Sequence, residues 1–139
     1  MLAYPNVLLL AGDEGEAMHL HQLLSPYVSL TCSQTLAALE QLLKNGAYDV
    51  LFYVESQPSE TWNDVIQEVH KYSPDLPVII LSRTGDEQEW RDVLEAGAFD
   101  LLAPPYLERT LVAVLEQAVT SRQARGWHDT GTLLREEAC

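Results

Sequence analysis

Apolar residues gather in five short runs along this chain, and each run is followed by a stretch whose apolar positions recur three and four residues apart. The runs are Val7-Leu8-Leu9-Leu10, Val28-Ser29-Leu30-Thr31-Cys32, Val50-Leu51-Phe52-Tyr53-Val54, Val78-Ile79-Ile80-Leu81 and Phe99-Asp100-Leu101-Leu102. Their shortness and continuity predict strands, most of them covered on both faces. The second run alternates apolar with small polar residues, as a strand does at a sheet margin where one side meets water.

The stretches between the runs predict helices. Met18, Leu20, Leu23 and Leu24 share one helical face, as do Leu36, Leu39, Leu42 and Leu43, and again Val65, Ile66 and Val69. Ser33 suits the N-cap of the second helix and Asn45-Gly46 its end, while Asp86 opens the fourth helix and Gly97 closes it. The last helix starts near Leu107 and carries Leu111, Val114, Leu115 and Ala118 behind Pro104-Pro105, a pair that fits neither a strand nor a helix interior. Strand and helix therefore alternate in (βα)₅ order, which predicts a parallel sheet with helices on both faces and right-handed crossovers. Chemistry in such sheets sits at the carboxyl ends of the strands.

Past Arg122 the periodicity fades. Gln123-Ala124-Arg125-Gly126-Trp127-His128-Asp129 reads as a polar linker, and Leu133-Leu134-Arg135-Glu136-Glu137 could begin another helix. Residues 1–122 are thus expected to form one domain and 123–139 a connection to an output domain beyond. No internal repeat or low-complexity tract interrupts the pattern.

Composition supports a folded chain. With 139 residues, 47% hydrophobic and 21% charged, it matches an ordinary globular domain, one large enough to bury about two-thirds of its unfolded surface. A net charge of −13, from 21 acids and 8 bases, would be repelled by a phosphate backbone. Direct contact with nucleic acid or an anionic membrane is not expected. Cys32 and Cys139 show neither CxxC spacing nor a disulfide framework and read as free thiols of a reducing cytosol. Met1 to Asn6 has no basic n-region, and the apolar run ending at Ala11 is too short for a signal peptide or membrane span, so a cytoplasmic domain is expected.

Three segments then resemble the receiver domain of two-component response regulators, over roughly residues 6–122. Tyr48 to Pro58 is similar to that family's third strand and following loop, where a proline stands four residues beyond the phospho-accepting aspartate. Asp75-Leu76-Pro77-Val78-Ile79-Ile80-Leu81-Ser82 is similar to the fourth strand, which ends in threonine or serine. Glu95 to Tyr106 is similar to the passage AGA…KPF, with Pro105 and Tyr106 matching its proline and aromatic. The resemblance implies a doubly wound, flavodoxin-like (CheY-like) three-layer α/β sandwich with a five-stranded parallel sheet in the order 2-1-3-4-5.

The same register shows what is absent. Receiver chemistry uses an aspartate nucleophile, two acids after the first strand to hold Mg²⁺, a lysine that pairs with the phosphoryl group and a hydroxyl that senses it. The resemblance places the acidic pair on Ala11 and Gly12, the acceptor on Val54 and the lysine on Pro104; the hydroxyl, Ser82, remains. Leu101 stands where a switch tyrosine or phenylalanine is common. Valine offers no nucleophile and an Ala-Gly pair no carboxylate, so neither the usual phosphorylation nor Mg²⁺ or any other cofactor is expected.

Some residues keep other readings open. Asp13 and Glu14 could enter the pocket after a one-residue loop shift, but capping and dipole complementarity at the first helix explain them better. Glu55 is either a displaced acceptor or fixed negative charge, or a solvated loop residue, the preferred reading because neighbouring strand residues point to opposite faces. His19, His21 and His70 lack metal-binding company. Trp90, Arg91, Glu95, Glu108, Arg109, Leu111 and Val112 fall on the face that receivers commonly use for dimers, and their mix of charge and apolar area suits a modest homodimer interface. No GxxxxGK[ST], GxGxxG or GxSxG motif occurs, which argues against an independent enzyme. The expected function is a phosphorylation-independent regulatory module acting through a protein partner or fused output domain. The alternatives are an atypically phosphorylated receiver and a small-molecule domain using the vacated strand-end pocket.

Overall fold

Strict alternation of strand and helix organises the computed structural model, which describes residues 5–55, 62–82 and 86–130, with side chains through 121. The strands are β1 (Asn6–Ala11), β2 (Ser29–Ser33), β3 (Val50–Val54), β4 (Val78–Leu81) and β5 (Asp100–Leu102). The helices are α1 (Glu14–Leu24), α2 (Leu36–Asn45), α3 (Trp62–Tyr72), α4 (Glu87–Glu95) and α5 (Glu108–Thr130). All the strands pair in parallel, in the order β2-β1-β3-β4-β5.

The two-residue period of the central strands sorts their side chains into two apolar layers. Val7, Leu9, Val50, Phe52, Val54, Ile79 and Leu81 face Leu20 and Leu24 of α1 and Leu111, Leu115 and Ala118 of α5. Leu8, Leu10, Leu51, Tyr53, Val78 and Ile80 face Leu39 and Leu43 of α2, Val65, Ile66 and Val69 of α3 and Val93 of α4. Coverage on both faces is why β1, β3 and β4 read as unbroken apolar runs. β2 is a margin strand, as its alternation predicts, with Ser29 and Cys32 exposed.

Local signals hold at most helix ends. Asp13 Oδ2 accepts from the Glu16 N–H at 2.9 Å, and Asp86 Oδ1 accepts from the Glu89 N–H at 2.8 Å. Gly97 ends α4 with a φ of 112°, a conformation that glycine alone adopts freely. Ser33 does not cap α2. It closes β2 in register with Leu10, and Thr35 caps the helix by accepting from the Ala38 N–H at 3.1 Å. Both are β-hydroxyl residues, so cap chemistry does not separate them, but the strand pairing takes Ser33 first.

Residues 123–129 depart from expectation. α5 continues through them to Thr130, so the stretch read as a polar linker is helical. Loss of the apolar stripe removes the signal for packing but not for helix, since Gln, Ala and Arg are good helix formers and Gly126 costs only about 1 kcal/mol. The segment Leu133 to Glu137 lies outside the described residues.

Candidate functional site

One row of backbone partners crosses the sheet at its carboxyl end: Ala11 pairs with Val54, Val54 with Leu81 and Leu81 with Leu102. The ladder runs one step further, the Glu55 N–H donating to the Leu81 carbonyl and the Ser82 N–H to the Leu102 carbonyl, each at 2.9 Å. These bonds fix Glu55 and Ser82 side by side at the level where chemistry resides in this architecture.

Ala11, Val54 and Leu81 are buried in the α1/α5 layer, so the position that the resemblance gives to the acceptor is an apolar core position. Gly12 follows β1 half-buried. Asp13 is exposed and caps α1, while Glu14, also exposed, accepts from Gln34 Nε2 at 3.3 Å. Both take the local roles that capping and dipole complementarity assign them. Pro104 is exposed in the turn after β5.

Glu55 departs from the solvated loop role. It is half-buried, and burial, then the neighbouring Glu89 carboxyl, raise its pKa above the ordinary glutamate range, while Ser82 acts the other way. Strand alternation fails for Glu55 because the strand ends at Val54. Ser82 is fully buried and its Oγ donates to Glu89 Oε1 at 2.7 Å. The Tyr106 hydroxyl in turn donates to the Ser82 carbonyl at 3.3 Å. Glu89 escaped the sequence reading, although a signal exists. Asp86-x-x-Glu89 has the spacing of a capping box, which sets a glutamate in the first turn of the helix after β4.

The expected dimer face is only partly a surface. Leu111 is fully buried among core residues, because it belongs to the same α5 stripe as Leu115 and Ala118. Glu108 accepts from the Tyr27 hydroxyl and Val112 lines a groove beside the same tyrosine. Trp90, Arg91, Glu95 and Arg109 are exposed; Arg91 pairs with Glu87 at 2.8 Å and Trp90 Nε1 lies 3.4 Å from Asp100 Oδ1. Trp62 packs partly buried against the α2/α3/α4 layer. His19 and His21 are exposed and His70 abuts Gly97, and among the described residues no group of three His, Cys, Asp or Glu stands together to hold a metal. No helix of the described residues is long and apolar enough to cross a membrane. Cys32 is exposed on β2, and Cys139 lies outside the described residues.

No family model matches the chain. A stretch of 85 residues, 61% of the chain, is 29% identical to the DNA-binding transcriptional regulator NtrC of Azospirillum brasilense, and spans 18% of that protein's length. Among solved structures, a response regulator receiver domain protein from Clostridium thermocellum superposes with a TM-score of 0.79 at 21% identity, covering 88% of this chain and 98% of its own. An adenylate cyclase structure from Rhodopirellula baltica gives a TM-score of 0.83 at 17% identity, covering 91% of this chain and 95% of its own. With the strand order and the alternating helices, these likenesses give the chain the CheY-like, flavodoxin-type fold of response-regulator receiver domains.

Proposed function

We propose that this chain is a receiver-type module of two-component signalling that works without phosphorylation, in the cytoplasm, by contact with a protein partner or an output domain on the same polypeptide. The observation that carries the reading is Val54, 1% exposed in the core where the resemblance places the nucleophile. A buried isopropyl group can accept no phosphoryl, and no neighbouring carboxylate replaces it in the row Ala11, Val54, Leu81.

The residues also do not fit Mg²⁺. A hard dication needs several oxygen ligands; Ala11 and Gly12 supply no carboxylate, Asp13 is engaged at the α1 cap, and Glu89 accepts from Ser82. With a net charge of −13, contact with DNA belongs to an output domain rather than to this one.

Glu55 offers a second reading, as a displaced acceptor beside Val54. Against it stands the raised pKa, which lowers the fraction of nucleophilic carboxylate, and the absence of a lysine at Pro104 to meet phosphoryl charge.

Intact-mass spectrometry after incubation with acetyl phosphate and Mg²⁺, with light scattering in beryllofluoride, tests the proposal. It expects no adduct and an unchanged molecular mass in solution. A stoichiometric adduct overturns it and directs the search to Asp13, Glu14 and Glu55.

A further inference from the structure

α5 carries a second stripe besides the one it buries. Leu111, Val114, Leu115 and Ala118 point into the core. On the opposite side Arg109, Val112, Ala113 and Glu116 follow one another at helical spacings of three and four, so they share one outward face. Arg109, Ala113 and Glu116 are exposed and Val112 is half-buried. An outward helix face is usually polar throughout; here an apolar pair, Val112 and Ala113, is bracketed by two charges of opposite sign. Val112 and Val119 also line a groove beside the stripe, together with Pro5 and Tyr27, so the apolar surface continues toward α1.

Neither charge has a counterpart on its own helix. The residues three and four positions from Arg109 are Pro105, Tyr106, Val112 and Ala113, and those from Glu116 are Val112, Ala113, Val119 and Thr120. Arg109 and Glu116 themselves stand about 10 Å apart along the axis at the usual rise, beyond the single turn over which charges on one helix pair. Among the described residues no ion pair engages either of them.

We propose that the outward face of α5 is a homodimer surface, on which two copies cross their α5 helices antiparallel about a two-fold axis between Val112 and Ala113. Arg109 and Glu116 lie equally far from that midpoint, about 5 Å along the helix to either side. An antiparallel second copy therefore brings its Glu116 to Arg109 and its Arg109 to Glu116, while the Val112-Ala113 pairs meet at the centre. One stripe supplies both halves of the match, as an isologous contact requires. A parallel crossing in the same register would set Arg109 on Arg109 and Glu116 on Glu116, so charge selects the antiparallel one. At a net charge of −13 per copy, most self-contacts would place acid against acid. This stripe, with one base and one acid, avoids that repulsion. Ala113 lets the two helix axes approach closely, and the groove beside Tyr27 gives the second helix an apolar wall. The contact needs neither Trp90 nor Arg91 of α4.

The dimer needs no phosphoryl group, so it stands whether or not the domain accepts one. Its test is sedimentation equilibrium of the full chain, without a phosphoryl donor, from about 10 μM to about 1 mM. Salt is held at about 0.15 M, where a Debye length of about 8 Å screens distant charges but not pairs in contact. Wild type should approach the mass of two copies at the top of that span. Arg109→Glu and Glu116→Arg each set like charges together at both ends of the contact, and each alone should raise the dimer dissociation constant by about tenfold or more. Mixed in equal amounts, R109E and E116R should dimerise again, because each then offers the charge that the other lacks. A wild type that stays monomeric throughout overturns the proposal. So does a dimer that neither swap weakens, or a mixture that stays monomeric while both variants keep the wild-type circular dichroism. Should either variant fail to fold, R109Q and E116Q decide in its place: a weaker dimer supports the contact and an unchanged one overturns it.

Discussion

The Ser82 hydroxyl donates to the Glu89 carboxylate at 2.7 Å, joining the end of β4 to the first turn of α4. Ser82 is fully buried, so its hydroxyl is held in place by this partner rather than by water. Ser82→Ala removes the donor and leaves a half-buried carboxylate short of one bond. The expected loss is about 1–3 kcal/mol, read as a lower urea midpoint at unchanged m-value.

Leu111 separates core from interface. Leu111→Ala should cost about 2–5 kcal/mol, as core truncations do. Arg109→Ala, two residues away and exposed, should stay within about 0.5 kcal/mol of wild type. Urea melts of both variants check the pair of values, and an L111A protein as stable as wild type would contradict the core placement.

At Gly97 two costs combine. Its φ of 112° is one that side-chain-bearing residues rarely adopt, and an added Cβ would stand 2.9 Å from His70 Cε1. Gly97→Ala should therefore lose at least the about 1–2 kcal/mol of a left-handed alanine. A thermal melt of G97A beside G97A/H70A divides the loss, since removing the imidazole relieves the clash but not the backbone.

Tyr72 ties α3 to α2 by donating its hydroxyl to Glu40 Oε2 at 2.6 Å. The bond and the carboxylate charge push Tyr72 up to about 12, and the hydroxyl, aided by Lys44, holds the Glu40 carboxyl below its ordinary value. A lowered carboxyl pKa contributes stability above the unfolded value and loses it as pH falls through the folded value. In Tyr72→Phe the Glu40 carboxyl should titrate at higher pH, nearer its unfolded value, and this group's share of the acid-side loss should shrink. Carboxyl-carbon NMR of Glu40 in both proteins checks the direction.

The fold was legible because burial on both faces writes itself as continuous apolar runs, from Val7 to Ala11 and from Val50 to Val54, and because Asp13, Asp86 and Gly97 carry unambiguous end signals. Ser33 and Thr35 were not separable, since either hydroxyl can cap a helix and only strand pairing decides between them. Leu111 was misplaced for another reason: its spacing from Leu115 and Ala118 already marks the core stripe, but the family resemblance assigns that stretch of the helix to a dimer face, and the stripe decides. The strand-end position of Ser82 followed from the register, but Glu89 did not, because its contact joins residues on different elements through a reach of side chain that no local period encodes.

α5 has a further consequence. Its 23 residues, Glu108 to Thr130, make a rod about 34 Å long at the usual helical rise. A rod passes on twist as well as distance, and each residue added to it rotates whatever follows by about 100°. The chain therefore leaves Thr130 in a compass direction set by the count of residues from the fully buried Ala118, so inserting one residue after Ser121 would re-aim the end of the helix while inserting seven would nearly restore its bearing.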